Sequence, residues 1–119
     1  MGLDLLLSSV QSSVNQPGGI VDWNRIQSVF DQARREDEAG NVFEAYYLYR
    51  LASDLVREKG PAIPPEAKSL ASQSLNNAAV ILYEHGYTAQ ARCLLEKAVQ
   101  VCPDNLTARD NLNSLLQGG

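Results

Sequence analysis

The chain is poor in the residues from which metal centres and redox pairs are built. It holds one histidine and two cysteines, so neither a histidine-rich metal site, a His–His relay nor a disulfide scaffold can be assembled from it. No apolar run approaches the ~20 residues that span a bilayer. Positive charge is also short, with ten basic side chains against fourteen acidic ones and a formal net charge of −4. A nucleic-acid binder needs a basic surface to displace counterions from phosphates, and this balance argues against one. Period-two alternation, the mark of a half-buried strand, is not sustained anywhere. What remains is 119 residues, 45% hydrophobic and 20% charged. That is enough for one core and too little for two. The expectation is a single soluble, mildly acidic domain, intracellular and cytoplasmic, without cofactor, metal or membrane insertion.

Leu5, Leu6 and Leu7 cluster near the amino terminus, but Asp4 interrupts the cluster and no basic residue precedes it, unlike a secretory signal. Met1-Gly2 opens a myristoylation motif that Leu6 breaks, because Ser or Thr is required there. The cluster reads as part of a packing helix.

Helical periodicity dominates the rest. Leu3, Leu6, Leu7, Val10 and Val14 share one helix face, giving a helix over 3–14. The run from Asn15 to Gly19 breaks it. Asp22 reads as the next N-cap, with Val21 and Ile26 as a hydrophobic staple, for a helix from Trp23 to Glu38. Asn41 caps a third helix, with Val42, Ala45, Tyr49, Ala52, Leu55 and Val56 as its stripe, ending at Lys59-Gly60. Pro61 to Pro65 is the one real connector, and Pro65 suits a first helical position. A long helix follows to His85, carrying Ala67, Leu70, Ala71, Leu75, Ala78, Ala79 and Leu82. Thr88 caps a fifth helix to Val101. Asp104 caps a sixth with Leu106, Leu112, Leu115 and Leu116 as its apolar set. Helices then cover roughly three quarters of the chain, against a base rate of about a third. The fold class is all-α.

Internal similarity is the most informative feature. Gly40 and Gly86 lie 46 residues apart, each at the expected corner of a helical hairpin. Ala33, Ala45 and Ala52 surround the first; Ala79, Ala91 and Ala98 surround the second at the same offsets. Small residues so placed let antiparallel helices approach closely. In this respect the sequence resembles the tetratricopeptide repeat family, whose unit is a 34-residue helix–turn–helix. The better unit spans 72–105, with Leu75, Asn77, Ala79, Leu82, Gly86, Ala91, Leu95, Ala98 and the closing Pro103-Asp104-Asn105. The other spans 26–59 and keeps Ala33, Gly40, Ala45, Tyr49 and Ala52 without a closing proline. The 46-residue spacing places twelve extra residues in the connector and early turns of the fourth helix, 60–71. A capping helix over 106–116 would end the array. The stretch from Arg35 to Asn41, with Glu44-Ala45 and Leu48-Tyr49, is also similar to the first hairpin of microtubule-interacting-and-trafficking domains, which bind helical tails.

Groups convergent enough for catalysis are not found, and a non-enzymatic protein is expected. His85 stands in a last turn beside open carbonyls, a routine helix-end position. Cys93 and Cys102, nine positions apart on one helix, point to opposite sides ~13 Å apart and read as packing thiols. Glu36-Asp37-Glu38 reads as a solvated face, and Gly18-Gly19 lacks the strand and Lys-Ser or Lys-Thr of a phosphate loop. Tyr49 falls on the packing stripe; Tyr46 and Tyr47 are left partly exposed, as an interface patch or as ordinary surface.

The resemblance to tetratricopeptide repeats implies a concave groove that binds a partner peptide or amphipathic helix, as an adaptor, scaffold or complex subunit does. Carried across residue by residue, the groove positions are Gln27, Phe30, Arg34 and Asp37 in the first unit and Gln73, Asn76, Asn77, Val80 and Tyr83 in the second. The capping helix adds Thr107 and Asp110. The amides of Asn76 and Asn77 suit an extended backbone, since each both donates and accepts. The lysines of a chaperone-tail clamp are missing from the corresponding places, Phe30, Arg34, Asn77, Thr107 and Asn111. Two alternatives stay open: the helix over 3–14 lies across the groove, or the repeats stack between copies into a homo-oligomer.

Overall fold

Apolar residues at three- and four-residue spacing, interrupted by glycine or proline, build every element of the computed structural model, which describes residues 23–57 and 63–118. The helix expected over 3–14, the Asp22 cap with its Val21 staple, and the Lys59-Gly60 terminus lie outside the described residues. Five helices follow one another: α1 Trp23–Glu38, α2 Val42–Arg57, α3 Pro65–Glu84, α4 Thr88–Val101 and α5 Leu106–Gly118. Among the described residues there is no strand. The all-α expectation holds, and α1 begins and ends where its periodicity puts it.

Both corners are built by the same backbone motif. After α1, the Gly40 N–H donates to the Asp37 carbonyl at 3.1 Å and the Asn41 N–H to the Glu36 carbonyl at 2.8 Å. After α3, Gly86 donates to Tyr83 at 3.1 Å and Tyr87 to Leu82 at 2.8 Å. This is the Schellman arrangement, in which a residue with positive φ turns the chain so that the last helical carbonyls are satisfied. Gly40 has φ +86° and Gly86 φ +87°, and no other described residue has positive φ. A Cβ at Gly86 would meet nothing within 4 Å, so the constraint is conformational and not steric crowding. Gly86→Ala is therefore expected to cost about 1–2 kcal/mol, with Gly86→Asn milder; urea denaturation of the two variants reads the difference.

Helix starts depart from expectation at two places. Tyr87, not Thr88, occupies the cap position of α4, and its side chain makes no capping bond. The Tyr87 carbonyl already accepts the Ala91 N–H at 2.9 Å, so the cap position falls one residue ahead of Thr88, at a residue whose ring carries its oxygen too far from the backbone to cap. At α5 the cap is Asn105, not Asp104: its side-chain oxygen accepts the Ala108 N–H at 3.1 Å while its amide nitrogen donates to Ser72 Oγ at 2.9 Å. An amide can accept and donate at once, which a carboxylate cannot.

The helices pack chiefly on their sequence neighbours, antiparallel in sense, and α3 also touches α1 and α5. The alanines make this possible. Ala33, Ala45, Ala52, Ala91 and Ala98 are completely buried and Ala79 nearly so, so backbones meet where a larger side chain would hold them apart. Ser72 records the closeness, its hydroxyl donating across the α3–α4 seam to the Ala98 carbonyl at 2.7 Å. Around them Ile26, Val29, Leu48, Tyr49, Val56, Leu75, Leu94 and Leu95 fill one core. On α5 the expected apolar set divides. Leu112 and Leu115 pack against the core, but Leu106 and Leu116 are 67% and 51% exposed and Ala108 is the buried contact. This helix lies against α3 and α4 alone among the described elements, so only one stripe of it is covered.

Candidate functional site

A chain of polar side chains crosses four helices on the side where α3 meets α1 and α5. The Tyr49 hydroxyl (α2) donates to Asp37 Oδ2 (α1) at 3.1 Å. Asn77 (α3) lies close enough to that hydroxyl to act on its ionisation. Asn76 Nδ2 donates to Asn77 Oδ1 at 3.2 Å, and Asn111 Nδ2 (α5) donates to Asn76 Oδ1 at 2.8 Å. Tyr49 itself is buried, its ring 5.9 Å from that of Phe30. Burial raises its pKa well above the usual tyrosine range, and the adjacent Asp37 carboxylate raises it further; the Asn77 amide and the charge of Arg34 oppose both. The proton therefore stays on Tyr49, which acts as a fixed donor in the network.

Beside this chain lie two recesses. A cavity of about 520 Å³ is lined by Gln73, Asn76 and Asn77 from α3, Asn105 before α5, and Leu106 and Thr107 at its start. A second, of about 270 Å³, is lined by Val80, Tyr83 and Glu84 from α3 and by Asn111, Ser114 and Leu115 from α5. Six of the sequence-derived groove residues thus meet along α3 and α5: Gln73, Asn76, Asn77, Thr107, Val80 and Tyr83. Gln27, Arg34 and Asp110 are exposed and border neither recess. Phe30, expected on the groove, is 7% exposed and belongs to the core, because the Tyr49 ring covers it. Asp37 is half-buried and committed to Tyr49.

The amides are not equivalent. Asn76 is 6% exposed and both ends of its side chain are bonded within the chain, so it is a positioning residue that sets the orientation of Asn77. Asn77 is half-buried and Gln73 exposed, its amide donating to Ser69 Oγ at 3.2 Å. Tyr49, Ser72, Asn105 and Asn111 were not among the sequence-derived site residues. Their links run over 12, 33 and 35 positions in the chain, distances at which no local spacing signal exists.

The remaining chemistry-bearing residues stand apart from this face. His85 Nδ1 lies 2.9 Å from the Ile81 carbonyl, and its ring rests 5.7 Å from Phe43. Cys102 is half-buried, but Cys93 is exposed and so not a packing thiol; both are free. Among the described residues no three His, Cys, Asp or Glu side chains converge as a metal ion would require. No described helix is long and apolar enough to cross a membrane.

No family model, curated protein or solved structure matches the chain.

Proposed function

We propose that the chain is a tetratricopeptide-like domain without catalytic activity, which binds an extended segment of another protein along the α1–α3–α5 side. The observation that carries this reading is the duplicated corner. Two glycines 46 residues apart adopt the same positive φ and close the same pair of hydrogen bonds, between helices nested on buried alanines at equal offsets. Helix pairs repeated in this way place α1, α3 and α5 side by side and leave a trough between them. The recess lined by Gln73, Asn77 and Thr107 supplies polar groups for a peptide backbone, and the Val80 and Tyr83 recess supplies an apolar seat for a side chain. Exposed Val80 and Tyr83 sit next to fixed amides, which is the mixture an adaptor surface requires.

The test is selection from a displayed random-peptide library followed by titration of the selected peptide. Asn77→Ala combined with Gln73→Ala is expected to weaken it about tenfold or more, the equivalent of ~1.4 kcal/mol, with the circular dichroism spectrum unchanged. Equal affinity of the double variant would remove this face from the reading.

A second reading, association between copies, rests on Phe43, Tyr47 and Tyr87, which are 75%, 61% and 52% exposed. Sedimentation at several concentrations separates the two: a monomer throughout removes the second reading, and a dimer that Phe43→Ser with Tyr47→Ser dissolves supports it.

A further inference from the structure

On the far side of α3 the molecule carries a recess of opposite character. At about 100° per residue, Lys68, Ala71 and Leu75 stand on the side of α3 away from Gln73, Asn77 and Val80. Together with residues of α2 and α4 they line a cavity of about 550 Å³, inside the range of about 300–1,000 Å³ typical of small-molecule sites. Its floor is apolar, with Val56 and Leu75 buried and Val101 half-buried. Its rim is cationic. Arg50, Arg57, Lys68 and Lys97 all reach it, with Asp54 as the one carboxylate among the described residues. Four of the ten basic side chains of an acidic protein thus gather at one apolar hollow.

The cations of that rim differ in how they are held. Asp54 lies 3.5 Å from Arg57, whose side chain is 78% exposed, so this pair is at the surface and leaves the other three cations uncompensated by it. Arg50 is held inward: it donates through Nη1 to the Tyr46 hydroxyl at 2.9 Å, with its guanidinium 5.9 Å from the ring centre. Its Nε is buried and has no acceptor among the described residues. An anionic oxygen entering the hollow would gain the charges of the lysines and of Arg50, and set an attached apolar group against Val56, Leu75 and Val101.

We infer that this cavity is a binding site for a free amphiphilic anion, a small carboxylate, sulfonate or phosphate ester carrying an acyl or aryl group. The cations select the head and the floor selects the tail. Neither alone accounts for the hollow: a purely ionic ligand has no use for a floor of valine and leucine, and a neutral apolar one would leave the cations of the rim as they are. The site is independent of the α1–α3–α5 side and is compatible with its occupation.

Isothermal titration calorimetry of the full chain with decanoate tests it, alongside decylammonium, inorganic phosphate and anionic phosphatidylglycerol vesicles. Saturable one-to-one decanoate binding is expected, weakening as salt rises, with no saturation by decylammonium or phosphate. Lys68→Glu combined with Lys97→Glu, both at exposed positions, is expected to lower decanoate affinity about tenfold or more while the helical circular dichroism signal stays intact. Arg50→Gln is expected to act in the same direction. Unchanged affinity in the lysine double variant, equal binding of decylammonium, phosphate binding as tight as decanoate, or binding to vesicles without free decanoate would each overturn the assignment.

Discussion

Tyr49→Ala is expected to cost about 3–5 kcal/mol, the range for truncating a buried aromatic side chain. Small domains are stable by only about 5–15 kcal/mol in total, so the variant should show a broad, low thermal transition or none. Two losses combine. The ring fills the space between α1 and α2 against Phe30, and its hydroxyl bonds α2 to Asp37 of α1. Tyr49→Phe separates them, keeping the ring and removing the hydrogen bond at about 1 kcal/mol.

Tyr49 also makes stability depend on pH in a known direction. Burial first, and the Asp37 carboxylate second, hold its proton in the folded state well above the ordinary tyrosine pKa. The unfolded chain releases that proton near pH 10. Below that point both states are protonated and the full stabilisation is present. Above it the unfolded state binds fewer protons than the folded one, so unfolding becomes easier as pH rises. The slope approaches ~1.4 kcal/mol per pH unit for this one proton. Urea midpoints measured between pH 9 and 11 are expected to fall more steeply for the natural chain than for Tyr49→Phe. Parallel curves would show that Tyr49 is not held in this way.

The second large effect is expected from Ala98→Leu. Ala98 has no exposed surface, and its carbonyl accepts directly from Ser72 of the neighbouring helix. Three added carbons have no room unless α4 moves away from α3, which stretches that hydrogen bond and opens the core on both sides of it. Overpacking of this kind costs about 1–3 kcal/mol and occasionally more. For a domain of this size each kcal/mol lowers the melting temperature by about 4–8 °C. Gln90→Leu, at an exposed position on the same helix, serves as the control and should change stability by no more than about 0.5 kcal/mol. Equal melting temperatures for the two variants would mean that the alanines are not what brings the helices together.

The site residues divide according to the distance over which their roles are set. Gln73, Asn77, Val80 and Tyr83 could be placed on one side of α3 because helical period and hairpin corner together fix which way a residue faces. Asn76 belongs to the same run of sequence, yet the structure gives its side chain to Asn111 on another helix. Phe30 looked equivalent to its neighbours and proved to be core, since nothing near it in the chain announces that Tyr49 will lie across it. The cationic hollow was invisible for a similar reason: Arg50, Lys68 and Lys97 come from three helices, and no spacing relates them.

Taken alone, the sequence determined the local architecture of this protein. Apolar period set the helices, glycine set the two corners because only it tolerates positive φ without strain, and alanine set where helices could touch. The tertiary structure decided which polar groups are spent inside the chain and which remain open to a ligand. Hydrogen bonds and charges act through space, and residues far apart in the chain became neighbours only once the helices had nested.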